Sequence, residues 1–106
     1  MAFVDLETLE EREIAPGFRA RFVHTPNVTI SFWRVAAGSV LPSHRHAHEQ
    51  VTNVLSGRFE MTVAGETQTA VPGMTVVIPQ NAEHGGRALT DCYILDVFYP
   101  VRDDYR

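Results

Sequence analysis

The sequence has one cysteine, no lysine and no long apolar run, and each shortage excludes a class of protein. Cys92 by itself cannot form an intramolecular disulfide, which argues against a disulfide-stapled secreted domain and for a reducing compartment. No apolar stretch approaches the roughly 20 residues that a membrane-spanning helix needs. The acidic segment 1–13 is unlike a signal peptide or a mitochondrial presequence, because both of those are basic. We therefore predict a cytoplasmic protein with no membrane partner.

The charge pattern argues against nucleic acid as a partner. The nine basic residues are all arginines scattered along the chain, and the formal net charge is −4. A nucleic-acid-binding surface needs basic side chains clustered on one face. A small anionic ligand remains compatible with the composition, because one metal ion and one or two arginines can reverse the local field.

The order of apolar and turn-forming residues predicts an all-β chain. A length of 106 residues fits one domain over residues 1–106. Phe18–His24 alternates apolar and polar residues, as expected for a strand. Turn residues at Ser56-Gly57 and Ala64-Gly65 indicate hairpins. About eight or nine short strands of even spacing predict a single small antiparallel β-barrel or jelly roll.

One segment, Asp5–Glu13, has helix-like composition. Its apolar residues, Leu6 and Leu9, support at most a short N-terminal helical turn packed on one end of the barrel.

Histidines cluster in the segment Gly38–Gly57. Residues two apart on a strand point to one face, so His44 and His46 are expected to face the same way, and by parity also His48 and Gln50. A His-x-His pair on a strand can supply two imidazoles to a divalent metal. Such a pair by itself is more often surface or core filler. Its framing glycines and a second histidine segment downstream, Gly73–His84, favour a metal site here.

Together these two segments resemble the two motifs of the cupin superfamily. The first motif runs Gly, five residues, His-x-His, three or four residues, Glu, six residues, Gly; this chain has Gly38, His44, His46, Gln50 and Gly57 at those positions. The second runs Gly, five residues, Pro-x-Gly, two residues, His; this chain has Gly73, Pro79, Asn81 and His84. Asn81 in place of Gly is a mild departure, because Asn tolerates a positive φ. The resemblance implies one divalent metal bound by His44, His46, Gln50 and His84.

Gln50 stands where the superfamily usually has Glu. Either its amide oxygen binds the metal, or the barrel has lost its metal site, and the three retained histidines favour the first interpretation. Four neutral ligands leave the full +2 charge on the metal, which suits an anionic ligand. Ni, Zn, Fe, Mn and Cu all tolerate this ligand set. His48 falls outside the family spacing, which predicts a supporting or rim position.

Asp96 interrupts the apolar strand Asp91–Tyr99. A buried carboxylate is costly unless it is paired, so Asp96 either has a functional role or is a structural or solvent-facing residue. Asp96-Val97-Phe98, followed by a Pro-x-Arg-x-Asp-aromatic tail that includes Arg102, resembles a narrower group, the KdgF-type cupins of pectin and alginate breakdown. That group also has Gln at the fourth ligand position. Its first motif often has one more residue before the Gln than this chain has.

This resemblance implies an enzyme that opens the ring of 4,5-unsaturated monouronates. Asp96 would be the general acid/base, Arg102 a bidentate partner of the substrate carboxylate, and Phe98 a wall of the pocket. The alternative for Arg102 is a salt bridge with Asp103 or Asp104, although charges adjacent in sequence rarely pair well.

Two other functions fit the same residues. One is a metal-dependent dioxygenase, and the other is a non-catalytic barrel that binds metal or sugar. The expected partners are a small anionic sugar and, as in many small cupins, a second copy of the chain in a homodimer, with Phe18–Val35 as the edge that packs.

Overall fold

The computed structural model describes residues 2–106 and contains two antiparallel sheets. The strands are β1 Arg12–Ala15, β2 Phe18–His24, β3 Thr29–Val35, β4 Val40–His44, β5 Glu49–Ser56, β6 Phe59–Val63, β7 Glu66–Ala70, β8 Thr75–Ile78, β9 His84–Ala88 and β10 Cys92–Tyr99. One sheet has the order β1-β2-β3-β10-β5-β8 and the other β4-β9-β6-β7. The predicted all-β jelly-roll class is confirmed. No helix in the described part of the chain is long and apolar enough to cross a bilayer.

The core lies between the two sheets and follows the period-2 alternation of the strands. In β10 every second residue from Cys92 to Phe98 is buried. Phe18 packs edge-on against Trp33 of its own sheet and Phe59 of the other, with ring centroids 6.4 and 6.3 Å apart. Burying an aromatic side chain of this size contributes about 1.5–3 kcal/mol, so these contacts join the sheets.

The N-terminal segment forms a short helical turn, as its composition predicted. A 3₁₀ turn covers Leu6–Thr8, and the Asp5 side chain accepts a hydrogen bond from the backbone N–H of Glu7. Arg12–Ala15 then pairs with β2 as an edge strand. The prediction that Phe18–Val35 forms the edge was therefore wrong, because β1 covers it.

Glu11 ties this segment to the outer face of the six-stranded sheet. Its carboxylate accepts hydrogen bonds from Arg34 Nε at 2.8 Å and Arg19 Nε at 3.0 Å, and Arg21 Nη1 lies 3.5 Å away. The hydrogen bond and charge of Arg34 lower the pKa of Glu11 to about 2. We call these four residues the Glu11 cluster.

Of the two turns predicted to form hairpins, one does and the other does not. Ala64 and Gly65 both have positive φ, 49° and 86°, and join β6 to β7 in the predicted hairpin. The Ser56-Gly57 turn does not form a hairpin, because it sends the chain from β5 in one sheet to β6 in the other.

Strand β9 was not predicted, because it contains Gly85 and Gly86 and glycine is depleted in strands. Close approach to the neighbouring strands requires these glycines. A Cβ on Gly85 would lie 2.7 Å from the carbonyl oxygen of Leu41, and one on Gly86 would lie 2.4 Å from that of Glu60. His84 therefore begins a central strand instead of ending a loop.

Candidate metal centre and adjoining pocket

Three histidines converge between the two sheets. His44 ends β4 and lies opposite His84, the first residue of β9, while His46 is in the loop that leads to β5. The ligand atoms of the three lie within 4.8 Å of one another, close enough to hold one metal ion. The ring centroids of His44 and His84 are 4.3 Å apart.

The histidines do not come together in the way that the sequence predicted. His44, His46, His48 and Gln50 do not share a strand face, because β4 ends at His44 and the chain crosses to the other sheet before β5. His44 and Gln50 line one pocket because the two sheets face each other.

Backbone carbonyls fix the orientation of all three rings. Each Nδ1 lies 2.9–3.0 Å from a carbonyl oxygen; the acceptors are those of Pro42 for His44, His48 for His46 and Ala82 for His84. A carbonyl can only accept, so Nδ1 carries the proton, and Nε2 has the lone pair in the neutral form of each ring. Nε2 of His84 is buried and has no hydrogen-bond partner within residues 2–106. Lone pairs presented in this way suit metal ligands.

Gln50 brings a fourth donor atom from β5. Its Nε2 donates to Thr52 Oγ1 at 2.9 Å, which turns the amide oxygen towards His46 Nε2, 3.0 Å away. Burial lowers the pKa of His46 to about 4, so this ring is neutral at pH 7 and two lone pairs face each other. A cation relieves such repulsion. Three neutral imidazoles and an amide oxygen therefore fit a divalent metal.

Asn81 connects the second motif to the first. Its φ is 63°, which confirms the expected positive value, and its N–H donates to the carbonyl oxygen of His46 at 2.8 Å. The turn before β9 therefore also positions the loop that carries His46.

A pocket that is partly open to solvent adjoins the histidines. Besides the histidines its polar lining is formed by Gln50, Thr52, Asp96 and Arg102. Phe98 forms part of the wall, with its ring 5.8 Å from that of His46.

Asp96 is buried in this pocket, so the solvent-facing alternative for it is wrong. It lies on β10 between Ser31 of β3 and Thr52 of β5. Its Oδ1 has no hydrogen-bond partner within residues 2–106. Burial raises the pKa of Asp96 to about 6, although the polar side chains nearby, Thr52 foremost, oppose the shift. A carboxyl group with this pKa can both take and give a proton near neutrality.

Arg102 also lines the pocket, but it has an internal partner. Asp104 accepts from its Nε at 3.0 Å and from its Nη2 at 2.6 Å. The expectation that neighbouring charges would pair poorly was wrong, because the 3₁₀ turn Asp103–Tyr105 folds Asp104 back onto Arg102. The guanidinium carbon lies 4.9 Å from the ring centroid of Phe98 and 4.2 Å from that of Tyr105.

Other polar residues lie next to the three histidines or line the pocket. His48 is outside the three-histidine group; its ring centroid is 5.7 Å from that of His46, and its backbone carbonyl orients His46. Sequence reasoning missed Thr52 and Tyr105. Thr52 could have been found, because it lies two residues after Gln50 on one strand and so shares its face. Tyr105 gives no local signal.

Comparison with known proteins shows the family of this chain. The cupin domain family matches residues 31–98. The pectin degradation protein KdgF of Dickeya dadantii is 28% identical over 106 residues, covering 97% of this chain and 96% of that protein. An uncharacterised protein of Streptomyces coelicolor is 31% identical over 97 residues, covering 90% of this chain and 92% of that protein.

A solved structure shows the same fold over the whole chain. The structure of KdgF from Halomonas sp. superposes with a TM-score of 0.93 at 30% identity, covering 100% of this chain and 99% of that one. The resemblance predicted from the two motifs and the C-terminal strand is confirmed, and the chain belongs to the cupin family.

Proposed function

We propose that this cupin opens the ring of 4,5-unsaturated monouronates from pectin or alginate breakdown and yields linear keto acids. The observation that carries the proposal is the buried Asp96 carboxyl, with its pKa raised to about 6, in one pocket with the histidine group and Arg102. The similarity to KdgF proteins of Dickeya and Halomonas supports it.

The reaction moves protons without consuming an oxidant. When the ring of the hemiacetal opens, C1 becomes an aldehyde and the ring oxygen stays on C5 as an enol. The enol becomes a ketone when its hydroxyl loses a proton and C4 gains one. One proton-transfer group with a pKa of about 6 suits such an isomerisation, and general acid–base catalysis of this kind contributes about 10²–10⁴-fold.

Asp96 is the proposed proton carrier, because it is the buried carboxyl of the pocket. Arg102 is proposed to bind the substrate carboxylate, and the ring of Phe98 to limit how the sugar lies between the two. A divalent metal held by His44, His46, Gln50 and His84 would polarise a substrate oxygen as a Lewis acid. The four protein ligands are neutral, so the pocket favours an anion.

The direct test is to mix the metal-loaded protein with unsaturated galacturonate and with the alginate-derived analogue. We expect faster loss of the unsaturated chromophore than the spontaneous rate, with no oxygen uptake. Asp96→Asn should keep the metal content and lose most of this acceleration, whereas a fully active variant would remove Asp96 from the mechanism.

The two other functions give different results in the same experiment. Oxygen consumption in the iron-loaded protein would indicate a dioxygenase, and binding without acceleration would indicate a binding protein. Either outcome contradicts the proposal. The homodimer and the cytoplasmic location stay predictions.

A further inference from the structure

An arginine side chain can bind two carboxylates at once. Its guanidinium group carries five N–H donors and has two flat edges that match a carboxylate, one formed by Nε and one Nη and the other by the two Nη atoms. Asp104 occupies the Nε–Nη2 edge of Arg102, at 3.0 and 2.6 Å. The Nη1–Nη2 edge remains for a second carboxylate.

The surroundings hold this guanidinium in one plane. The rings of Phe98 and Tyr105 lie over it, at 4.9 and 4.2 Å from its central carbon. The backbone N–H of Arg102 donates to the buried Thr29 Oγ1 at 2.8 Å, which fixes the base of the side chain. The Arg102 side chain is 10% exposed and that of Asp104 is 56% exposed, so Asp104 approaches from the solvent side.

We propose that Asp104 is a positioning residue that holds Arg102 by its Nε–Nη2 edge and directs the Nη1–Nη2 edge at the carboxylate of the substrate. The inference deepens the proposed function and rests on it. Asp104 acts through Arg102 and does not touch the substrate itself.

A competing role for Asp104 predicts the opposite change in KM when Asp104 is replaced. If Asp104 occupied the substrate's place on Arg102, its removal would strengthen substrate binding. The packing favours positioning, because Asp104 leaves the second edge unused and lies on the solvent side of the guanidinium.

The neighbouring Asp103 is a matched control. It belongs to the same 3₁₀ turn and pairs with Arg106 at 2.8 Å, with its side chain 79% exposed. Asp104→Asn and Asp103→Asn each remove one negative charge from the same short turn, so their long-range electrostatic effects are similar.

Steady-state kinetics with unsaturated galacturonate test the proposal. In Asp104→Asn we expect KM to rise about tenfold with little change in kcat, because uniform binding of the carboxylate is lost. Asp103→Asn should match the parent, and Asp104→Glu should recover part of the loss. With the methyl ester, which carries no charge, the parent and both asparagine variants should agree. A KM for Asp104→Asn that equals that of Asp103→Asn, or falls below the parent's, would overturn the proposal.

A measurement without turnover separates this inference from the proposed function. The Nε–H signal of Arg102 can be assigned by its loss in Arg102→Lys. We expect slow solvent exchange of this proton in the parent and Asp103→Asn, and fast exchange in Asp104→Asn. Titration with saturated galacturonate should shift the signal in the parent and bind about tenfold more weakly in Asp104→Asn. If the parent is inactive on every uronate yet shows these differences, the proposed reaction fails while the role of Asp104 stands; unchanged exchange or affinity in Asp104→Asn refutes that role.

Discussion

Titratable groups are concentrated in two places: the Glu11 cluster on the outer face of the six-stranded sheet and the histidine-lined pocket between the sheets. The two places differ in whether these groups have partners and in the direction of their pKa shifts. In the Glu11 cluster one carboxylate lies beside three arginines, and the hydrogen bond from Arg34 together with the three positive charges lowers its pKa to about 2. In the pocket, Nε2 of His84 and Oδ1 of Asp96 are buried without hydrogen-bond partners within residues 2–106. Burial there raises the pKa of Asp96 and lowers that of His46.

The comparison distinguishes charged groups that stabilise the fold from buried polar groups that can bind a ligand. A satisfied ion pair in contact with water holds two segments together at little cost, whereas a buried polar atom without a partner costs free energy that a ligand can recover. Unsatisfied lone pairs that converge in a pocket therefore mark the place where a ligand belongs.

The largest effect should come from removing a histidine of the convergent group. His84→Ala is expected to lose the bound metal and to reduce turnover nearly to the spontaneous rate, because it deletes a buried ligand atom. Metal content measured by elemental analysis checks this. His48→Ala is the control and should retain the metal, because the carbonyl that orients His46 belongs to the backbone. Equal metal loss in both variants would contradict the assignment of the three ligands.

Asp96→Asn should stabilise the metal-free fold at neutral pH. The pKa of Asp96 rises from 3.8 to about 6 on folding. A raised pKa means that the stabilising contribution of the protonated group is complete below pH 3.8 and is lost as the pH rises through 6. We expect the variant to exceed the parent by about 1–3 kcal/mol at pH 7.5 and by little at pH 4. Urea denaturation with a chelator present, at both pH values, measures this. A gap that does not widen with pH would show that Asp96 is not the group responsible.

Gln50→Glu tests whether the neutral ligand set matters. A carboxylate should bind the metal more tightly and weaken the binding of an anionic substrate, and we expect KM to rise about tenfold. Thr52→Val is the companion variant, because it removes the partner of the Gln50 amide without adding charge. If Gln50→Glu increased both metal retention and turnover of the unsaturated uronate, the charge argument would be wrong.

The smallest effect is expected at the Glu11 cluster. Glu11→Gln should lower the free energy of unfolding by about 1 kcal/mol at pH 7 and leave activity unchanged. The pKa of Glu11 is lowered from 4.5 to about 2, so its contribution is present above pH 4.5 and disappears as the pH falls through 2. Thermal unfolding across this range, with Glu13→Gln as the control, measures the effect. A loss of stability that persists at pH 2 would exclude the ion pairs as its cause.

The sequence predicted the fold class well, but not how the residues of the candidate site come together. The spacing of His44, His46, Gln50 and His84 identified the group, whereas the assumed shared strand face was wrong. Strand periodicity describes one strand and carries no information on where the chain changes sheet. Strand β9 was missed for a related reason: Gly85 and Gly86 are explained by the close approach of neighbouring strands, which a local pattern does not contain.

What the sequence determined by itself is the set of chemical groups: three imidazoles, an amide, a carboxyl and an arginine, at cupin spacing and in a β-rich chain. The tertiary structure determined the pKa values, the orientations and the partners of these groups. Burial between the sheets sets the pKa of Asp96, backbone carbonyls set which nitrogen of each histidine keeps a lone pair, and the C-terminal turn gives Arg102 an internal partner. These properties depend on neighbours distant in sequence and on the exclusion of water, and both arise when the two sheets pack together.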